Sequence, residues 1–260
     1  ISAVGVNNPI VFGNKIIALE NESLSLAAAQ CDIPVIDLSA PVADVVKQLE
    51  KFSIDVMLMS CYNRRIPDAL LQSADHGCFN LHPSLLPGSR GPEPVFWQMK
   101  HACDMGVSWH QVVHEFDAGD IAIQQKVNID EGADYSGINH ELARVGADLM
   151  MNMLSDLSAG TLNKSAQDSA LASYYPYPVK DDFVIETSWS AQHAYNFMCA
   201  THSFGHPYQC KVGEQNFLLV KALDYDNNTQ IDEVEVQGDR LYIPFKEGIL
   251  CVTYTGKLSI

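Results

Sequence analysis

Apolar and polar positions alternate in blocks along the first half of the chain. Apolar residues at positions 42, 45, 46, 49 and 52 recur with helical spacing and predict a helix over 42–52. The run over 55–62 is almost wholly apolar, which is typical of a parallel strand covered on both faces. Strands and helices that alternate in this way favour an α/β fold built on a mostly parallel sheet.

The same pattern continues up to residue 157. It predicts a helix over 95–103, two strands over 106–115 and 121–129, and a long helix over 135–157. The acidic, glycine-bearing residues between the two strands are typical of a turn, so the strands are expected to form a hairpin.

Composition changes at residue 158, where a Ser/Ala/Asn-rich stretch begins that ends in Tyr-Tyr-Pro-Tyr-Pro. We therefore predict one domain over 1–158, a linker over 159–181 and a second domain over 182–260. In the second domain, a helix over 190–201 precedes several short apolar runs separated by turns. This pattern predicts a small, β-rich unit, either a barrel or a sandwich.

Composition narrows the class of protein. The 260 residues are 47% hydrophobic and 18% charged, which is enough to bury a core. No apolar run approaches the roughly 20 residues of a membrane helix, so no membrane partner is expected. The seven cysteines form no CxxC or Cys/His ligand spacing, which predicts no metal site and a reducing, cytoplasmic location. The net charge of −16 argues against a broad nucleic-acid surface.

Three side chains are candidates for chemistry: Asn80, His82 and Asp117. Asn80 and His82 lie two apart where a predicted strand runs into a Pro/Gly-rich loop, so both point to one face. Imidazole exchanges protons near neutrality, a carboxylate can orient it, and an amide can donate to an oxyanion. A lone histidine at a strand end is more often structural, and Asp117 also suits a turn, so these residue types alone leave the function open.

The order of motifs is more specific than the residue types. Residues 80–87 read Asn-Leu-His-Pro-Ser-Leu-Leu-Pro, and Arg90-Gly91 with Pro94 follow. Residues 106–110 read Gly-Val-Ser-Trp-His, and residues 117–121 read Asp-Ala-Gly-Asp-Ile. This series resembles the formyltransferase family that uses 10-formyltetrahydrofolate, which includes enzymes acting on glycinamide ribonucleotide, methionyl-tRNA and amino sugars.

The resemblance implies a role for each matched residue. Asn80 and His82 would bind the formyl oxygen and stabilise the tetrahedral intermediate, while Asp117 would hold His82 in its working state. The catalytic domain would be Rossmann-like, 10-formyltetrahydrofolate would be the formyl donor, and no metal is implied. The residues implied in binding the folate, directly or as supporting neighbours, are Arg64, Arg65, Ile66, Ser84, Leu85, His110, Val113, His114, Glu115 and Phe116.

The chain departs from the family at two places. Family members begin with a strand, loop and helix that precede the segment matching residues 1–6, so the resemblance implies that this first unit is missing. The members that modify tRNA also carry a basic loop, whereas residues 7–22 contain one Lys and two Glu. The C-terminal domain resembles, more weakly, the small barrel of methionyl-tRNA formyltransferases.

These observations favour an N-formyltransferase acting on a small primary amine, such as an amino-sugar nucleotide or an amino-acid derivative. Methionyl-tRNA is the alternative acceptor, disfavoured by the acidity. Hydrolysis of formyltetrahydrofolate and a non-catalytic folate-binding module also stay open. A homo-oligomer is possible.

Overall fold

The periodic apolar residues form helices in the computed structural model, which describes residues 1–6, 11–12, 15–16, 24–62 and 64–258. Helix α2 (Val42–Leu49) lies where the spacing predicts it, and its Val45 and Leu49 are buried. Most of the acidic segment 7–22 falls outside the described residues. The chain forms two units, Ile1–Asn80 and Leu81–Ile260.

The first unit is built of short strands and helices. Strands β1 (Val4–Val6) and β4 (Val35–Asp37) pair in parallel, as in an α/β fold. Its apolar core includes Ile36, Val45, Leu49, Ile66 and Leu70. The other elements are β2 (Val11–Phe12), β3 (Lys15–Ile16), α1 (Leu24–Gln30), β5 (Met57–Ser60), α3 (Asp68–Leu71) and the start of β6 (Cys78–His82).

The second unit begins within β6. After a loop come α4 (Pro94–Lys100) and the antiparallel pair β7 (Gly106–Gln111) and β8 (Ile121–Lys126), which confirms the predicted hairpin. Strand β7 ends earlier than predicted because residues 112–120 form the turn region. Helix α5 (Tyr135–Ala159) is capped by the Asp134 side chain, which accepts a hydrogen bond from Gly137 N.

Residues 182–258 contain one six-stranded sheet and a helix. The strand order is β12-β13-β14-β11-β10-β9, with β9 and β10 parallel and the other pairs antiparallel. Among these described residues β9 and β12 are the edges, so the predicted barrel closure is not observed. The elements are β9 (Val184–Ile185), α6 (Ala191–Thr201), β10 (Tyr208–Val212), β11 (Gln215–Asp226), β12 (Glu235–Gln237), β13 (Arg240–Pro244) and β14 (Ile249–Leu258).

The core of this part is almost wholly apolar. One cluster joins Phe197 of α6 to Phe217 and Leu219 of β11, and it reaches Phe96 of α4. The predicted domain limits at 158 and 181 stay predictions. The two units described above divide after Asn80. No helix within the described residues is long and apolar enough to cross a membrane.

Candidate active site

His82 ends strand β6, and the loop that follows holds its ring. The side chain is buried, and Nε2 lies 2.9 Å from the carbonyl oxygen of Ser89. Because a carbonyl oxygen can only accept, Nε2 carries the hydrogen, and Nδ1 is the proton acceptor of the neutral ring. Burial lowers the pKa of His82, outweighing the opposite effect of the Asp117 carboxylate. The imidazole is therefore neutral at pH 7.

Asp117 is the carboxylate that faces this nitrogen. Its Oδ1 lies 3.6 Å from His82 Nδ1 and 3.6 Å from His110 Nε2. Its Oδ2 accepts a hydrogen bond of 2.9 Å from Gly91 N. Burial favours the neutral acid, but the interactions with His110, His82 and Gly91 N–H prevail and hold the pKa of Asp117 below its usual value. An ionised carboxylate thus stands beside a neutral imidazole.

Two glycines let the backbone approach closely around this pair. Gly91 has a φ of +111°, and a Cβ there would lie 2.0 Å from the Tyr175 carbonyl oxygen. A Cβ on Gly119 would lie 1.9 Å from the Gln111 carbonyl oxygen. Both distances are far inside van der Waals contact, so neither position accommodates a side chain without displacing the backbone.

Buried hydroxyl groups fix the loop that follows His82. Ser84 Oγ donates a hydrogen bond of 2.7 Å to the Gly88 carbonyl oxygen. Ser108 Oγ donates to the Ser84 carbonyl oxygen at 2.7 Å and accepts from Leu86 N at 3.1 Å. The loop is therefore hydrogen-bonded to β7, the strand that also contains His110. Ser84 uses its hydroxyl within the loop, and Leu85 beside it is half-buried.

The stretch predicted as a linker also fastens this loop. Arg90 N donates to the Ser173 carbonyl oxygen, and Tyr175 N donates back to the Arg90 carbonyl oxygen, both at 2.9 Å. Ser173 Oγ accepts a hydrogen bond of 2.9 Å from Ser89 N. Ser89, whose carbonyl oxygen accepts the hydrogen bond from His82, is thus itself hydrogen-bonded to Ser173.

The predicted folate-binding residues fall into separate groups. Arg64 and Arg65 are exposed in the first unit, whereas the Ile66 side chain belongs to its core. Asn80 is half-buried on β6, two residues before His82. The four residues from Val113 to Phe116 are exposed just before Asp117. His110 is the one predicted supporting residue that contacts Asp117 directly.

Sequence reasoning did not identify several residues that shape the site. The Ser89 carbonyl, the Gly91 amide and the Gln167 side chain all contact His82 or the turn of Asp117. Backbone groups leave no signature in residue type, and Gln167 lies in a stretch that looks like a linker. Among the described residues, no group of three or more His, Cys, Asp or Glu is arranged to hold a metal ion.

Comparisons with known proteins show which proteins this chain is similar to. Residues 37–154 match the family model described as formyl transferase. A methionyl-tRNA formyltransferase of Thermotoga neapolitana is 26% identical over 218 residues, covering 84% of this chain and 67% of that protein. The first curated relatives are covered over 57–67% of their own length.

Solved structures show the same fold at low identity. An N-formyltransferase from Helicobacter canadensis, crystallised with folinic acid and dTDP-3-aminofucose, has a TM-score of 0.68 at 16% identity and covers 93% of this chain and 85% of its own. HypX from Aquifex aeolicus with tetrahydrofolic acid has a TM-score of 0.58 at 16% identity, covering 87% of this chain and 40% of its own. Residues 37–154 of this chain therefore match the formyl transferase family, and the fold is similar to that of N-formyltransferases of known structure.

Proposed function

We propose that this protein transfers the formyl group of 10-formyltetrahydrofolate to a primary amine. The observation that carries the proposal is the Asp117–His82 pair, in which Nε2 is bound to the Ser89 carbonyl and Nδ1 faces the carboxylate. A neutral imidazole beside an ionised carboxylate can take a proton from an attacking amine near neutral pH. The match to the formyl transferase family model supports the same reaction.

The reaction proceeds by direct attack. The amine nitrogen bonds to the formyl carbon, and the carbonyl oxygen becomes an oxyanion, for which the Asn80 amide is the proposed donor. The proton that the amine loses goes to His82 Nδ1, where Asp117 stabilises the imidazolium. When the intermediate collapses, the bond from carbon to the folate nitrogen breaks and His82 returns the proton to that nitrogen. The products are a formamide and tetrahydrofolate.

The folate is proposed to bind near the exposed residues before Asp117. Val113 is 42% exposed and Phe116 is 50% exposed, so both apolar side chains before Asp117 are accessible to a ligand. A folate presents a flat aromatic body that such side chains can cover. The roles implied for Arg64, Arg65 and Ile66 in binding the folate stay predictions.

A small amine, such as an amino-sugar nucleotide, is the acceptor we propose. The Helicobacter canadensis structure contains such a sugar nucleotide, and this chain covers 85% of that protein. The net charge of −16 opposes a polyanionic acceptor. Methionyl-tRNA is the second candidate, because the first curated relatives carry the name methionyl-tRNA formyltransferase.

The test is the release of tetrahydrofolate from 10-formyltetrahydrofolate, measured with and without amino-sugar nucleotides, amino acids and methionyl-tRNA. We expect release that depends on one small amine, with the matching formamide as product. Release with methionyl-tRNA alone would establish the second acceptor, and release without any amine would indicate a hydrolase. Folate binding without release under any condition would refute the transferase and indicate a non-catalytic module.

A further inference from the structure

The carboxamide of Gln167 connects two segments at the candidate active site: the loop that contains Arg90 and Gly91, and the turn that contains Asp117 and Gly119. Its Nε2 donates hydrogen bonds to the carbonyl oxygens of Asp117 at 2.8 Å and Gly119 at 2.7 Å. Its Oε1 accepts from Arg90 Nε at 3.1 Å and from Arg90 Nη2 at 2.8 Å. Both N–H groups and both lone pairs of the amide are therefore used.

The same two segments also meet at the carboxylate. One segment supplies Asp117 Oδ2 and the other supplies Gly91 N, which lie 2.9 Å apart. Gln167 connects these segments a second time, through the residue before Gly91 and the carbonyl of Asp117 itself. Asp117 has a φ of +54°, a conformation that a non-glycine residue rarely adopts, so its turn needs external support.

We propose that Gln167 is a positioning residue for Asp117: by tying the Asp117 turn to Arg90, it fixes the carboxylate against His82 and the Gly91 amide. The inference rests on the proposed function, in which Asp117 and His82 manage the proton of the amine. It assigns a role in the reaction to the stretch that separates the two predicted domains.

The chemistry of the contacts selects glutamine at this position. Glutamate has no N–H to give to the two carbonyl oxygens, and asparagine is one methylene shorter. A neutral amide also binds Arg90 without cancelling its charge. The side chain of Arg90 is only 11% exposed, and its nearest ion-pair partner, Glu115, is 4.0 Å away and 79% exposed. The charge of Arg90 is one of the influences that lower the pKa of His82.

Two substitutions of Gln167 test whether it positions Asp117. Gln167→Met keeps the volume and removes all four hydrogen bonds, so kcat is expected to fall about tenfold to hundredfold, as misplacement of a catalytic group does. Gln167→Glu keeps the acceptor for Arg90 but loses both donors, and it should lower kcat by a similar factor. KM for the folate should stay within about twofold in both variants, because the ground-state contacts remain.

The titration of the His82 ring gives a readout that a purely structural role would not move. It can be followed by NMR with labelled histidine and assigned by its loss in His82→Asn. In Gln167→Met the looser Asp117 stabilises the imidazolium less, so the ring should titrate at lower pH than in the wild type. In Gln167→Glu the added carboxylate offsets the charge of Arg90, so the ring should titrate at higher pH.

The matched control is Gln192→Met. Gln192 also joins two segments, through a hydrogen bond of 2.8 Å from Nε2 to Glu131 Oε2, but it contacts neither Asp117 nor Arg90 in the described residues. Its kcat and the His82 titration should equal those of the wild type. The proposal is overturned if Gln167→Met leaves both kcat and the His82 titration unchanged; if Gln167→Met does not fold, an unchanged kcat in Gln167→Glu overturns it.

Failure of the proposed function would look different. A wild-type protein that transfers no formyl group to any amine would refute the transferase, whereas the His82 titrations would still report whether Gln167 positions Asp117. Transfer by the wild type together with unchanged titrations and rates in both variants would refute the positioning role alone.

Discussion

The loops of the candidate active site and the C-terminal sheet both contain buried residues, yet different forces stabilise them. Around the site, the buried groups include the polar residues His82, Ser84, Ser89, Ser108 and His110. In the sheet, the residues with 0% exposure are nearly all apolar, among them Phe217, Leu219, Leu241, Ile243, Leu250 and Val252. The site therefore depends on directed hydrogen bonds, whereas the sheet depends on the area and volume it removes from water.

This difference determines what a substitution does in each region. An apolar core responds to lost volume, and the cost appears in the free energy of unfolding. A polar site responds to lost donors, acceptors or charges, and the cost appears in the rate. If this difference holds, substitutions in the sheet should lower the free energy of unfolding but not the activity, whereas substitutions in the site should lower the activity but leave the fold intact.

The largest expected effect is on stability, from Phe217→Ala. Phe217 has 0% exposure on β11, and truncating a buried phenylalanine costs about 3–5 kcal/mol through lost transfer energy and a cavity. Denaturant titration measures the change, with Val236→Ala, at a site 54% exposed, as the control. Activity per folded molecule should be unchanged, and a variant that folds normally but is inactive would break the comparison.

Asp117→Ala should give the largest loss of activity with the fold intact. It removes the charge that stabilises a protonated His82 and the acceptor for Gly91 N, so kcat should fall about a hundredfold or more. Asp148→Ala is the control, because that side chain is 72% exposed on α5. The measurement is formyl transfer alongside thermal unfolding. An Asp117→Ala enzyme of near-normal rate would show that the proposed mechanism is wrong.

Much of the fold could be predicted from sequence, because the spacing of apolar residues in a long segment indicates both the type of element and the face that it buries. Helix α5 begins at Tyr135 as the spacing of apolar residues predicts, and the β7–β8 hairpin follows its turn residues. The parallel pairing of β10 (Tyr208–Val212) with β9 could not be predicted, because it depends on the tertiary fold and not on local patterning. The register shifts in the pairing of β11 (Gln215–Asp226) with β14 could not be predicted either, because local patterning does not reveal them.

The site was predicted only where side-chain type carries chemistry. His82, His110 and Asp117 stand out as residues and do come together. The groups that orient them, the Ser89 carbonyl and the Gly91 amide, are present in every residue except that proline lacks the amide hydrogen. Gln167 lies 50 residues from the carbonyl it binds at Asp117, so only the tertiary fold places it there.

Gly91→Ala should disturb the site by a smaller amount than loss of Asp117. The added Cβ would lie 2.0 Å from the Tyr175 carbonyl oxygen, so the backbone must move and the Gly91 N to Asp117 Oδ2 bond lengthens. We expect kcat to fall about tenfold or more, in line with a misplaced catalytic group. Gly238→Ala is the matched control: its φ is also positive, at +66°, but nothing lies within 4 Å.

Comparing the two glycine variants separates the effect of backbone strain on stability from the effect of displacing the site on activity. Both variants place an alanine at a positive φ, which lowers the free energy of unfolding by about 1 kcal/mol or somewhat more. Only Gly91→Ala should lose activity as well. Equal kcat values for the two variants, measured at saturating substrate, would show that the Gly91 contact with Asp117 does not orient the carboxylate.

The smallest expected effect is the pH dependence that His82 gives to both rate and stability. Burial lowers the pKa of His82 from 6.5, so the neutral base persists below that pH and kcat/KM should fall only when the medium is more acidic. The unfolded chain takes up this proton near pH 6.5 and the folded one does not. The free energy of unfolding should therefore decrease as the pH falls below 6.5, by at most about 1.4 kcal/mol per pH unit for one group.

The contribution of His82 is isolated by subtracting the same measurement on His82→Asn, since the pKa values of His101 and His193 are also lowered by burial. Asp117 acts in a separate window: its lowered pKa gives stability that is present above pH 3.8 and is lost only below it. An acid limb of kcat/KM above pH 6.5, or a His82→Asn protein with the pH-dependent stability of the wild type, would mean that His82 is not buried as the neutral base. In that case the polar site, like the sheet, would contribute to stability without determining the chemistry.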